Sequence, residues 1–232
     1  MAVILNIETS GSPCSAALTA EGMVLAHREE FEGRNHAAVL SDFIKQCLAH
    51  AADHEIKVEA VAVSLGPGSY TGLRIGLSEA KGLAYALGVP LIGVETLKLL
   101  TVTVMFGSMD IDPDTIFIPM VDARRMEVYT GAYDMALEPM MTPGALVLEG
   151  DAYADLMKSG RPLLFFGSGA GKAREFFGGC PRATFVPEIE ALATNMLALS
   201  EQAYSRRDFI DTAYSTPIYL KEFQATKPKC KI

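Results

Sequence analysis

The chain has 232 residues, of which 50% are hydrophobic, and it carries a formal net charge of −8. That length suits one large core or two α/β lobes of ~100 residues each. The net negative charge argues against a chain that binds nucleic acid by itself, because it repels phosphate. Four lysines near the C-terminus are the local exception: Lys221, Lys227, Lys229 and Lys231. A solubilising terminus explains them better than a contact with RNA does, because four lysines make only a weak basic patch.

Cysteine spacing and hydropathy exclude several other classes. The four cysteines form no C-x-x-C pair, so neither a zinc knuckle nor a redox motif is predicted. The apolar start is cut short by Glu8 without a preceding basic stretch, which disfavours a signal peptide. No apolar run approaches the ~20 residues that cross a bilayer. We therefore expect a cytoplasmic protein with reduced thiols and no membrane contact.

The first half of the chain predicts three strands followed by alternating helices and strands. In chain order these are strands at 2–7, 14–19 and 23–28, a helix at 35–54, a strand at 60–64, a helix at 71–87 and a strand at 90–94. Gly22 supplies the positive φ of a tight hairpin, and Asn35 is the predicted N-cap of the first helix. Gly88 is expected to end the second helix as its C′ residue.

The same order begins again after a stretch of turn-forming residues. The second half predicts strands at 116–121, 126–133 and 145–148, a helix at 152–158, a strand at 162–166, and helices at 170–177 and 192–204. Three antiparallel strands followed by α/β crossovers are typical of the ribonuclease-H-like unit. The predicted fold is therefore α/β, a duplicated ribonuclease-H-like (actin-like) fold. Its lobes are residues 1–106 and 107–232, with the C-terminal helix free to pack back on the first lobe.

The most distinctive local motif is the glycine-rich segment 66–76, which joins a buried strand to a helix. Backbone N–H groups in such a turn can bind an anion at the helix N-terminus. The same glycines are expected where a tight turn is needed for backbone reasons alone. We interpret the segment as a structural loop, formed by Gly66, Pro67, Gly68, Ser69 and Thr71.

The helix that follows carries two ridges of small residues. One ridge consists of Gly72, Gly76, Ala80 and Ala84, and the other of Ser78, Gly82 and Ala86. Glycine inside a helix costs ~1 kcal/mol relative to alanine, so two ridges indicate close packing. One ridge can pack against the lobe's own sheet. The other either packs in the same interior or contacts another helix, and the sequence does not decide which ridge is exposed.

Two polar turns are weak candidates for a phosphate or Mg²⁺ site. The residues are Glu8, Thr9 and Ser10 in the first turn, and Asp122 and Arg124 in the corresponding turn of the second half. An acid followed by hydroxyls can hold a hydrated Mg²⁺. Glycine, however, is scarce where phosphate would need a close approach to the backbone. The adjacent arginines 124 and 125 suit a carboxylate, a phosphate or an interface salt bridge. No cofactor is assigned.

Other segments that resemble nucleotide-binding, metal-binding or catalytic motifs are incomplete. The segment 167–172 lacks the first glycine of a Walker A loop, because Phe166 stands there, and Ala173 replaces the Ser or Thr after Lys172. His50 and His54 have the spacing of two metal ligands, but no third ligand is suitably placed. No Ser-His-Asp set can be argued from the sequence.

Four motifs spread over the chain resemble the TsaB (YeaZ) family. They are the segment 66–76, I-L-N-I-E-T-S at 4–10, D-A-R-R-M-E-V-Y at 122–129, and P-I-Y-L at 217–220. The resemblance implies an actin-like fold without its own catalysis. It implies two partners, a homologous TsaD-type subunit that binds metal and nucleotide, and a TsaE-type ATPase. Together they transfer threonylcarbamoyl to N6 of adenosine 37 in ANN-decoding tRNAs, so tRNA is reached only through the complex.

One departure separates this chain from the TsaD-type subunit. That subunit carries an H-x-x-x-H metal pair in the corresponding helix, whereas here His36 is followed by Leu40. No metal is therefore expected, and the alternative function, a metal-dependent glycopeptidase of the M22 type, is disfavoured. A small-molecule kinase is disfavoured too, because only Glu8 and Asp122 could serve as its acids.

The resemblance also implies that the subunits meet through the first two helices. A two-fold contact of the same patch would give a homodimer when the chain is alone. The predicted interface residues are Leu40, Phe43, Ile44, Cys47, Leu73, Gly76, Ala80, Gly82 and Leu83.

Overall fold

The computed structural model describes residues 2–33, 35–107 and 110–221. Its first lobe contains five strands and three helices. In chain order they are β1 (Ile4–Glu8), β2 (Cys14–Ala20), β3 (Met23–Glu30), α1 (His36–Asp53), β4 (Ala60–Gly66), α2 (Tyr70–Leu87), β5 (Leu91–Glu95) and α3 (Thr96–Gly107).

The second lobe contains five strands and two short helices, and a longer helix follows it. They are β6 (Ile116–Asp122), β7 (Glu127–Tyr133), β8 (Pro139–Val147), α4 (Ala154–Lys158), β9 (Leu163–Phe166), α5 (Ala170–Phe177) and β10 (Ala183–Val186). A 3₁₀ turn (Ala193–Met196) then leads into α6 (Leu197–Arg206), which packs against β1 and β5 of the first lobe.

The two sheets have the same topology. The strand order is β3-β2-β1-β4-β5 in the first sheet and β8-β7-β6-β9-β10 in the second. In each sheet the first three strands along the chain pair antiparallel, and the last two are added in parallel. This repetition confirms the predicted duplicated ribonuclease-H-like fold.

Helices α1 and α2 cover one face of the first sheet. Leu40, Ile44 and Cys47 of α1 enter the core there, as the helical spacing of apolar residues predicts. Ser69 caps the start of α2, because its side-chain oxygen accepts a hydrogen bond from the amide of Gly72 (3.2 Å). Gly88 follows the last residue of α2, and its φ of 67° confirms the left-handed glycine predicted there.

The opposite face of the first sheet belongs to an apolar cluster that both lobes share. Ile92 and Leu97 enter it from the first lobe, and Phe117, Tyr133 and Phe166 enter it from the second. All of these side chains are almost completely buried. Because this cluster joins the two sheets, the lobe division at residue 107 stays a prediction, although α3 ends there.

Some elements differ from the sequence expectations. Helix α3 and strand β10 were not predicted, and β8 begins six residues before the predicted start at 145. Asn35 does precede α1, but its φ is 77° and its side chain makes no capping hydrogen bond. The predicted side-chain cap is therefore wrong.

The described residues contain no helix that is both long enough and apolar enough to span a membrane. Lys227, Lys229, Lys231 and Cys230 lie outside the described part of the chain.

Candidate functional site

The glycine-rich segment 66–76 lies directly on the turn at the end of β1. The amide of Ser69 donates to the carbonyl of Ser10 (2.7 Å). A Cβ on Gly68 would stand 2.3 Å from that same carbonyl oxygen, and one on Gly72 would stand 2.1 Å from the carbonyl oxygen of Thr9. These glycines are therefore required because two backbone segments touch, which supports the structural interpretation of the loop.

The turn beneath this loop is closed to solvent. Glu8 and Thr9 are completely buried and Ser10 is 2% exposed. Glu8 accepts a hydrogen bond from the amide of Ser10, and burial raises the pKa of the Glu8 carboxyl above its ordinary value. The second carboxyl oxygen of Glu8 and the hydroxyls of Ser10 and Ser64 are buried together at this turn. The first predicted phosphate turn is thus covered by its own lobe.

The corresponding turn in the second lobe is open. Asp122 accepts hydrogen bonds from Lys172 (2.8 Å) and from the amide of Arg124. The amide of Asp122 donates to the hydroxyl of Ser168 (3.1 Å), which comes from the G-S-G-A-G-K segment that failed as a Walker loop. The guanidinium groups of Arg124 and its neighbour Arg125 are exposed. Asp122 is therefore hydrogen-bonded within its own lobe, whereas the exposed side chain of Arg124 could contact a partner or ligand.

The two ridges of α2 face opposite environments. Gly72, Gly76, Ala80 and Ala84 are buried against the first lobe's sheet and the turn of Thr9. Ser78, Gly82 and Ala86 are exposed, and open space surrounds the Cβ position of Gly82. Beside this exposed ridge, a groove between α1 and α2 is lined by residues that include Ala37, Thr71, Ile75 and Ser78. The structure therefore decides which ridge could meet another chain.

This geometry divides the predicted interface residues into two sets. Six belong to the chain's own core and cannot touch a partner while the lobe stays folded: Leu40, Ile44, Cys47, Leu73, Gly76 and Ala80. Three retain exposed surface: Phe43, Gly82 and Leu83. Periodicity marked the apolar face of α1 correctly, but that face packs on the sheet rather than outward.

The histidines that were weighed as metal ligands have other contacts. Nε2 of His36 lies 3.0 Å from the carbonyl oxygen of Ser12, and Leu40 is completely buried. His50 and His54 stack on each other with ring centroids 4.2 Å apart. Within the residues that the structure describes, no group of three or more His, Cys, Asp or Glu residues could hold a metal ion.

The C-terminal segment after α6 crosses back over the first lobe, and we call residues 208–221 the strap. The amide of Ile210 donates to the carbonyl of Leu91 on the edge strand β5 (2.9 Å). Farther along, the amide of Ile218 donates to the carbonyl of Leu65 (2.8 Å). Between them, Nζ of Lys81 on α2 donates to two strap carbonyls, at 3.0 and 2.7 Å. The strap therefore covers a sheet edge and flanks α2.

The end of the strap connects α2 to the second lobe. Arg74 donates to the hydroxyl of Tyr219 (3.0 Å) and stacks on the ring of Tyr70, 4.3 Å from its centroid. The rings of Tyr70 and Tyr219 lie 5.4 Å apart. Two residues later, Lys221 binds the carboxylate of Glu127 (2.8 Å). Sequence reasoning noted the P-I-Y-L motif but did not place it, because the motif's partners are distant along the chain.

Comparisons with known proteins agree with this architecture. The sequence profile of a family described as "TsaD: tRNA N6-adenosine threonylcarbamoyltransferase" matches residues 28–160. The tRNA threonylcarbamoyladenosine biosynthesis protein TsaB of Bacillus subtilis is 32% identical over 166 residues, covering 71% of this chain and 70% of that protein. The Escherichia coli protein of the same name is 36% identical over 130 residues, covering 56% of this chain and 54% of that protein.

The fold is similar to that of a solved relative as well. The structure titled "YeaZ from Pseudomonas aeruginosa" superposes with a TM-score of 0.74 at 25% identity, and the match covers 95% of this chain and 100% of that one. The profile match spans more than half of the chain, and the B. subtilis relative is covered over more than two thirds of its length. The chain therefore belongs to the TsaB (YeaZ) family.

Proposed function

We propose that the chain is a non-catalytic partner subunit in the biosynthesis of threonylcarbamoyladenosine in tRNA. Its TsaB relatives support involvement in that process. In this role the chain binds and organises a TsaD-type catalytic subunit and a TsaE-type ATPase in the cytoplasm. The complex then transfers threonylcarbamoyl to N6 of adenosine 37 of ANN-decoding tRNAs.

The interior of the first lobe supports a role without catalysis. Leu40 occupies the place of a second metal-binding histidine, and it is packed in the core. The acid at the end of β1, Glu8, is buried beneath the 66–76 loop and cannot reach a substrate in this conformation. A buried carboxyl with a raised pKa also resists the ionised state that binds Mg²⁺.

The exposed ridge of α2 is the observation that carries the proposal of a partner subunit. Gly82 costs ~1 kcal/mol of helix stability relative to alanine, yet, apart from its chain neighbours and the backbone of its own helix, no atom of the described residues lies within 4 Å of its Cβ position. Small residues on a helix surface let a second backbone approach closely. Leu83 provides partly buried apolar surface beside this ridge on the same helix. We propose that this surface takes the homologous TsaD-type subunit, or a second copy of the chain when that subunit is absent.

The experiment replaces Gly82 with Trp and compares it with Gly171→Trp. Both glycines are exposed helical residues with open space around the Cβ position, but Gly171 lies on α5 of the other lobe. We expect Gly82→Trp to weaken association with the homologue about 5- to 150-fold, because overpacking a close contact costs about 1–3 kcal/mol. Gly171→Trp should bind as wild type does.

Self-association supplies an independent readout of the same surface. Analytical ultracentrifugation of the chain alone should show a dimer that Gly82→Trp converts to monomer while Gly171→Trp does not. Ala80→Trp is unsuitable for either measurement, because Ala80 is buried and the lobe itself would be disrupted. If folded Gly82→Trp binds the homologue and itself as tightly as the control, the interface lies elsewhere.

The alternative, an M22-type glycopeptidase, makes a different prediction. It requires a stoichiometric metal and an activity that His36→Ala abolishes. Elemental analysis of the purified chain, with peptidase assays of wild type and His36→Ala, separates the two functions. No contact in the described residues favours the peptidase.

A further inference from the structure

The turn between β6 and β7 presents two arginines whose side chains have no partner in the part of the chain that the structure describes. Arg124 and Arg125 adopt left-handed conformations, with φ of 70° and 49°. Two backbone hydrogen bonds of 3.1 Å close the turn, one from the amide of Ala123 to Glu127 and one from the amide of Glu127 to Arg124. Both arginine side chains are exposed, and neither forms an ion pair or side-chain hydrogen bond within the described residues.

Two acids beside this turn are neutralised by lysines from elsewhere in the chain. Lys172 on α5 binds Asp122 (2.8 Å), and Lys221 at the end of the strap binds Glu127 (2.8 Å). A further acid, Glu149, follows Leu148, whose amide donates to the carbonyl of Met126 in the turn. Among these described side chains, four are basic and three are acidic. The surface is locally positive in a chain whose net charge is −8.

A second exposed arginine pair lacks these features. Arg206 and Arg207 end α6 and also have no side-chain partner among the described residues. Their surroundings are acidic, since Asp208 follows directly and Asp211 and Glu201 lie close along the chain. No lysine neutralises these acids in the described structure, so this pair does not form a positive surface.

We propose that the 123–126 turn binds the phosphate backbone of tRNA in the assembled complex. The identity of the RNA rests on the proposed function. Guanidinium groups bind phosphate oxygens in a bidentate manner, and two on one rigid turn can reach neighbouring phosphates. The site is open rather than enclosed, which suits a polyanion better than a small ligand.

The position of the turn is consistent with a contact made next to a partner subunit. The strap runs along α2, bonds Arg74 through Tyr219 and then reaches Glu127 through Lys221. The strap therefore links the basic turn to the N-terminal part of α2, the helix whose exposed ridge we propose for the homologue. A tRNA bound to the homologue would then lie beside this turn. The two arginines would add to the affinity of the complex for tRNA, which the acidic chain cannot provide alone.

The test removes the two charges without disturbing the turn. Arg124→Asn with Arg125→Asn keeps residues that tolerate a left-handed backbone. Arg206→Ala with Arg207→Asn is the matched control, because it removes the same charge from the other arginine pair. Each variant, assembled with the TsaD-type homologue, is titrated against a fluorescent, unmodified tRNA transcript between about 50 and 200 mM salt.

We expect the turn variant to bind tRNA about tenfold more weakly at the lowest salt. The slope of log affinity against log salt should fall by about 1.5, the value for two lost phosphate contacts. Arg124→Lys with Arg125→Lys should retain the slope, because it keeps both charges. The control should stay within about twofold of wild type.

Unchanged affinity and slope in the turn variant would overturn the inference, as would an equal loss in the control. A turn variant that loses its protein partners but keeps its tRNA affinity would show a protein contact instead, which also overturns it. Co-purification of the same samples with the homologue separates this result from a failure of the proposed function. A wild-type chain that does not bind the homologue would contradict the proposed function and overturn the inference with it, because the turn is proposed to act only in the assembled complex.

Discussion

Gly76 on α2 lies so close to Thr9 that a Cβ on the glycine would stand 2.2 Å from the threonine hydroxyl oxygen. Thr9 cannot move aside easily. It is completely buried, and its hydroxyl donates to the carbonyl of Gly72 (2.8 Å). The contact between helix and turn thus depends on a hydrogen in the place of a methyl group.

Alanine should therefore have opposite effects at the two interior glycines of α2. Gly76→Ala gains up to ~1 kcal/mol of helix propensity but forces apart a packed contact, so we expect a net loss of about 1–3 kcal/mol in the free energy of unfolding. Gly82→Ala has open space and should gain roughly 0.5–1 kcal/mol. Urea denaturation of both variants measures the difference. Equal midpoints for the two would contradict the packing geometry.

The buried acid at the end of β1 should make stability depend on pH in a defined direction. Burial raises the pKa of Glu8, so the folded state binds its proton more tightly than the unfolded state does. The resulting stabilisation is fully present below the ordinary glutamate pKa of about 4.3, and it is lost as pH rises through the higher folded pKa. Glu8→Gln removes this dependence.

We therefore expect Glu8→Gln to become more stable relative to wild type as pH is raised from about 4 to 8. Urea midpoints of the two proteins across this range give the difference at each pH, so that the other titrating groups cancel. Glu138→Gln is the control, because Glu138 is exposed and its carboxylate has no side-chain partner in the described structure. It measures the effect of removing a carboxylate that is not buried. A difference between Glu8→Gln and wild type that does not change with pH would mean that Glu8 does not titrate differently on folding.

The strands and amphipathic helices were predictable because their patterns are local. Helix 170–177 was predicted with the bounds that the structure has, and α2 differs by one residue at its start. Helix α3 was missed because it is apolar all round and rich in β-branched residues, so it shows no helical stripe. Strand β8 begins earlier than predicted because its two prolines, which normally argue against a strand, lie in an edge strand.

The candidate sites were predicted less well, because they depend on contacts between distant residues. The glycines of the 66–76 loop were recognised, but only the structure shows that Thr9 and Ser10 occupy the space above them. The same holds for Lys172 and Lys221, which neutralise the acids beside Arg124 from 50 and 94 residues away along the chain. Sequence spacing carries no signal for such pairs, whereas the apolar face of α1 was visible from periodicity alone.

Cysteine reactivity offers a simple test of the core. Cys14 and Cys47 are buried, and burial raises the pKa of both thiols, that of Cys14 to about 12. Because the thiolate is the reactive form, neither should react with a thiol reagent in the native protein at pH 8. Cys180 is partly exposed and should react before either of them. Alkylation followed by peptide mass spectrometry identifies the modified residues, and unfolding in urea should expose Cys14 and Cys47.

The strap depends on one lysine of α2 for much of its attachment. Nζ of Lys81 donates to the carbonyls of Ala213 and Ser215, between the two backbone hydrogen bonds of Ile210 and Ile218. Lys81→Met keeps the apolar stem and removes both donors. We expect the amides of Ile210 and Ile218 to exchange with deuterium about fivefold faster, because hydrogen bonds from a charged group at a half-exposed site contribute about 1 kcal/mol.

Lys45→Met is the matched control, since Lys45 is exposed on α1 and has no side-chain partner within the described residues. It should leave exchange in the strap unchanged. The effect of Lys81→Met should also be local, because amides in β1 and β4 are held by sheet pairing that does not involve the strap. Faster exchange throughout the first lobe would indicate general destabilisation instead. Unchanged exchange at both strap amides would show that the backbone contacts with Leu91 and Leu65 hold the strap without Lys81.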